Sequence, residues 1–130
     1  MLAEDYANRA LRLSPFDPQS FLAHMALAAV RVRLKRHDDA AAHFAKAAQA
    51  NPRFSVPYAL QASALALAGR IEDAKAVARR VLELEPTFSI RRFIDFIGFV
   101  KPELREALAV GLRQAGLPET PIEHQGPGLL

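Results

Sequence analysis

The sequence has no cysteine and no tryptophan. Without cysteine there is no disulfide framework, no thiolate metal site and no thiol nucleophile. No apolar run approaches the ~20 residues that a membrane-spanning helix needs. The first residues, Met1-Leu2-Ala3-Glu4-Asp5, are acidic where a secretory leader is basic. These absences point away from the membrane and from secretion, toward a cytoplasmic chain. A strong charge surplus is missing too. Seventeen basic residues against 14 acidic give a formal net charge of +3, and nucleic-acid binding calls for a clustered basic face. There is also no glycine-rich phosphate loop, no nucleophile elbow and no recognisable pair of catalytic carboxylates. The residues therefore suggest neither an enzyme nor a cofactor site.

What is present is a chain of 130 residues, 51% hydrophobic and 24% charged, which is one domain's worth of globular protein. Its 25 alanines point to closely packed helices. Prolines 18, 52 and 86 fall 34 apart, but the first is a decoy. Counting back 12, 8 and 5 positions from Pro52 reaches Ala40, Phe44 and Ala47, and from Pro86 it reaches Ala74, Ala78 and Val81. The same offsets from Pro15 reach Ala3, Ala7 and Ala10, whereas Pro18 would give Tyr6, Ala10 and Leu13. The repeat intervals are thus 37 and then 34. The longer interval leaves three extra residues, either in the helix after Pro18 or in the turn near Lys35, which stands where Gly69 stands one repeat later.

Read as helices, the chain has a first segment from Leu2 to Ser14, then a helix capped by Asp17 and opened by Pro18 that runs to about Arg36. Further helices are predicted over Asp38–Ala50, Ser55–Ala68, Ile71–Glu85 and about Ser89–Ile97. A last one opens at Pro102 and ends near Ala115, with Gly116 just past its end. The first of these has no partner helix before it. Its Ala3, Ala7 and Ala10 face implies either a longer parent protein or a second subunit covering it.

The stretch from Ser55 to Pro86 resembles a tetratricopeptide repeat, a 34-residue helix–turn–helix unit. Tyr58, Ala62, Leu65, Gly69, Ala74 and Pro86 stand at the positions of its pattern, while Gln61 and Ala78 depart from it. The resemblance implies an all-α solenoid of antiparallel helix pairs in a right-handed superhelix. Residues 1–118 would form the domain: an orphan helix (1–16), two repeats (17–52 and 53–86) and a capping helix pair (87–118). A flexible tail would follow over 119–130. Several phrases, above all Gly111-Leu112-Arg113-Gln114-Ala115-Gly116-Leu117-Pro118-Glu119, look like the C-terminal repeat region of bacterial proteins. In those proteins the repeats follow a class III adenylate/guanylate cyclase domain or a winged-helix domain. No residue here matches a cyclase catalytic domain.

In the tetratricopeptide family the first helix of each pair lines a concave surface. Carried onto this chain, that surface comprises Val56, Ala59, Ser63, Ala66 and Leu67 in the clearer repeat. The longer repeat adds Leu22, Ala26 and Val30, with Gln19 and Ala29, provided that the extra residues fall after them. The capping helix adds Ile90, Phe93 and Ile97. Such an apolar groove would take an apolar helix or an extended segment of a protein partner, unless the capping pair or tail fills it. The expectation is a non-catalytic protein–protein interaction module, the regulatory C-terminal part of a larger bacterial signalling protein. The alternatives are a cyclase segment whose catalytic domain lies elsewhere, and a scaffold that self-associates as a homo-oligomer through its first helix.

The remaining polar features have simpler readings. Arg31, Arg33, Lys35, Arg36 and His37 cluster at a predicted helix end, where each cation complements the dipole by ~0.3–1 kcal/mol. A phosphate or nucleic-acid site is the sharper reading of the same residues. His37 and His43 are six apart, which turns a helix through ~600° and sets their rings about 120° apart, so they share no metal. Asp38 and Asp39 suit a helix start, and Arg91 and Arg92 are spaced to pair with Asp95.

Overall fold

The structure, a computed structural model, describes residues 18–121. The expected first helix with its alanine face, Asp17 and the last nine residues of the expected tail lie outside the described residues. Six helices and no strand are found among them, so the described region is all-α. They are α1 (Pro18–Arg33), α2 (His37–Ala50), α3 (Ser55–Leu67), α4 (Ile71–Leu84), α5 (Ile90–Phe96) and α6 (Pro102–Gln114). None is long and apolar enough to cross a membrane.

The helices α1 to α4 pack each on the next in chain order. Close approach needs small side chains, and Ala28, Ala40, Ala62 and Ala74 are all fully buried. Larger residues fill the space between, with Phe44, Leu65 and Val81 in the same apolar cluster. Ser55 at the start of α3 donates its hydroxyl to Glu85 beyond the end of α4 at 2.6 Å, which closes that pair at its open end.

The two turns within these pairs are built alike. After α3, Gly69 takes φ +86°, its N–H bonds the Ala66 carbonyl, and the Arg70 N–H bonds that of Leu65. After α1, Lys35 takes φ +60°, its N–H bonds Val32, and the Arg36 N–H bonds Arg31. Both are the left-handed cap in which two backward hydrogen bonds satisfy the last carbonyls. Lys35 adopts this conformation without being glycine. The turn is therefore not enlarged, and the three extra residues extend the helix: α1 has 16 residues and α3 has 13.

Beyond α4 the order changes. The short helix α5 is capped by Ser89, whose Oγ accepts the Arg92 N–H at 3.2 Å. Pro102 opens α6, and Gly116 ends it with a third cap of the same kind at φ +90°. α6 then packs chiefly against α3, with a slighter contact to α5. The segment after it returns to α5, where the N–H groups of Ile90 and Arg91 donate to the carbonyls of Pro118 and Glu119. Glu119, expected to begin a loose tail, is further held by Arg113 at 2.9 Å.

Candidate functional site

The face on which the sequence placed a groove is where α6 lies. Ser63 and Gly111 meet at the contact. A Cβ on Gly111 would fall on the Oγ and carbonyl oxygen of Ser63, so only glycine allows this approach. Ser63 is fully buried and donates its hydroxyl to the Leu108 carbonyl at 2.8 Å, which offsets the cost of burying it. Ala59 and Ala66, on the same face of α3 as Ser63, are buried as well. Ile90, Phe93 and Ile97 are buried in the main apolar cluster.

The longer repeat corrects the expected register. Because the extra turn precedes the groove positions, Val56, Ala59, Ser63, Ala66 and Leu67 correspond to Leu22, Met25, Ala29, Val32 and Arg33. Ala26 and Val30, expected on the groove, are out of that register. Ala26 is half-buried beside Ala23 and Leu27, and Val30 is buried. Leu22 stays in the register at the position of Val56 rather than that of Ala59, and is 62% exposed.

Two openings flank the covered region. The first is a cleft of about 270 Å³ between the start of α3 and α5. Its apolar wall is Phe54, Val56, Phe88, Phe93 and Phe96, and its polar edge includes Glu85 and Arg92. Phe54 also packs on Phe21 of α1, with ring centroids 5.9 Å apart, and Phe93 on Phe88 at 5.6 Å. Phe96 is 61% exposed. Arg92 lines the cleft, and neither it nor Arg91 forms the expected ion pair with Asp95. Val56 and Phe93 were foreseen on a binding surface, but Phe54, Phe96 and Arg92 were not.

The second opening is a cavity of about 470 Å³ between the α1–α2 turn and the start of α6. Val32, Leu67, Leu104 and Ala107 give it an apolar lining, and Arg33, Lys35, His37, Lys101 and Glu103 supply the polar groups. Leu67 was expected on the groove and stands here. The contribution of α6 was not foreseen. A glycine in mid-helix is its one trace in the sequence, since Gly there costs ~1 kcal/mol relative to Ala unless packing requires it.

His24 of α1 and His43 of α2 face each other, their Nδ1 atoms 3.4 Å apart. Burial, then the neighbouring His43 and Lys46, pushes the His24 imidazole down to about 4. Among the described residues no three His, Asp or Glu side chains gather as a metal-holding group. Compared with known families and curated proteins, the chain matches no family model and no curated relative.

Proposed function

We propose that this chain is a protein-interaction module of tetratricopeptide type, serving as a regulatory segment of a larger signalling protein. The recurrence of one turn at Lys35 and Gly69, with buried alanines at matching positions on each side, supports the repeat reading. The observation that carries the interaction reading is the aromatic cleft. Phe54 and Phe96 stay exposed around it although the neighbouring Phe88 and Phe93 are buried. Exposed apolar surface rimmed by polar groups marks sites where another protein packs.

The occupant that fits is a partner segment carrying one bulky apolar anchor beside an acidic residue. The anchor would enter between Phe54, Val56 and Phe96, and its carboxylate would reach Arg92. Glu85 accepts the Ser55 hydroxyl, which fixes that carboxylate without removing its charge, so the partner's acidic residue belongs on the Arg92 side of the cleft. Catalysis has no part in this reading.

Selection of a displayed peptide library against the chain tests it. Enriched peptides should pair an aromatic or large aliphatic residue with Asp or Glu, and Phe96→Asp should abolish their binding while the helical circular dichroism stays native. Enriched peptides that bind Phe96→Asp unchanged, or no enrichment, would overturn the proposal.

A further inference from the structure

We propose that the cavity between the α1–α2 turn and α6 is a binding site for a small organic phosphate monoester with an apolar body. Its volume of about 470 Å³ lies within the range of small-molecule sites. Three cations line it, Arg33, Lys35 and Lys101, against the single carboxylate of Glu103. Arg33 and Lys35 follow from the end of α1, where cations complement the helix dipole. Lys101 does not. It is the residue immediately before α6, at the positive end of that helix, where a cation is unfavourable. It stands on the same cavity as two further solvent-exposed cations, and together they make a positive potential that attracts an anion.

His37 stands beside the three cations. Its ring lines the cavity, and its Nδ1 is shielded from solvent with no hydrogen-bond partner. That nitrogen is closed off from the cavity as well as from solvent, so the ring meets a ligand through its other atoms. The surplus of two positive charges favours a dianion over a carboxylate, and a phosphate monoester carries roughly −1.5 to −2 at neutral pH. The apolar lining then receives the group that the phosphate is attached to. A ligand so placed joins α6 to the α1–α2 turn. The proposal is independent of the aromatic cleft.

Calorimetric titration of the full chain with phenyl phosphate tests it, with vesicles containing phosphatidic acid as a second arm. Saturable binding of phenyl phosphate is expected, weakened at least about tenfold in Lys35→Gln/Lys101→Gln by loss of two charge-assisted contacts. The neutral analogue benzyl alcohol should not compete. Arg53→Gln/Arg79→Gln removes the same charge elsewhere and should leave binding unchanged. Vesicle retention lost in the lysine pair but not in the arginine pair would identify the phosphate as a lipid headgroup; binding of phenyl phosphate alone would identify a soluble ligand. Failure of both arms, or binding that the two double variants weaken equally, would overturn the proposal.

Discussion

Replacing Gly111 by alanine should have the opposite sign to the usual effect of that change. In an exposed helix interior it stabilises by about 1 kcal/mol, because glycine gives up more backbone freedom on folding. At Gly111 the added Cβ would fall on the Oγ and carbonyl oxygen of Ser63 and lie 2.9 Å from its carbonyl carbon. Those are mostly backbone atoms, and no side-chain rotation relieves the overlap. α3 and α6 must separate by roughly 1 Å to regain an ordinary contact distance. Such overpacking costs ~1–3 kcal/mol. The buried bond from Ser63 to Leu108, 2.8 Å long, is stretched as well, for about 1 kcal/mol more. After the helix-propensity gain is subtracted, a net loss of about 1–3 kcal/mol remains. Urea denaturation would show it as a lower midpoint with an unchanged slope. Heating would show a midpoint lower by about 3–4 °C for each kcal/mol in a chain of 130 residues. A rise in stability near 1 kcal/mol would mean that Gly111 faces open space, and would refute the packing of α6 on α3.

Other consequences can be measured on the same chain. Lys35→Gly should stabilise by about 1 kcal/mol, because it removes the left-handed strain of a side chain at φ +60°; a lower thermal midpoint would contradict the turn. His24 stays neutral in the folded protein down to about pH 4, whereas in the unfolded chain it takes up its proton near pH 6.5. The unfolded state therefore binds more protons in that window. Stability should fall as the pH drops through it, by up to about 1.4 kcal/mol per unit, and His24→Leu should flatten the slope; identical profiles would refute the burial. Ala74→Leu places three extra carbons at a fully buried position and should cost ~1–3 kcal/mol by urea denaturation, with an unchanged midpoint as the contrary result.

Helix boundaries were legible wherever local chemistry sets them. Gly69 and Gly116 mark left-handed ends, Pro102 marks a start, and the alanines at 40 and 74 mark buried faces. Lys35 was harder to read, because its turn carries the same two hydrogen bonds as that at Gly69 without the glycine that advertises them. Counting back from that turn, rather than forward from Pro18, places the extra residues at the start of α1 and brings Val32 and Arg33 into the register of Ala66 and Leu67. The covering of Ser63 by α6 was not legible from periodicity, since it joins helices far apart in the chain and leaves only the mid-helix Gly111 as a sign. The basic cavity was half visible for the same reason: Arg33, Lys35 and His37 stand together in the sequence, while Lys101 joins them only through the fold. Phe54 and Phe96 passed unnoticed because isolated aromatics at helix ends look like ordinary core residues until their exposure is known.

The central claim is that α6 covers the face of α3 that carries Ser63, with an opening at each end of the contact. Nuclear Overhauser contacts in the full chain test it most directly. Strong cross-peaks are predicted between the α protons of Gly111 and the β protons of Ser63, together with a slowly exchanging Ile90 amide bonded to Pro118. Absence of any cross-peak between α3 and α6, in a chain whose α3–α4 contacts are intact, would contradict the account.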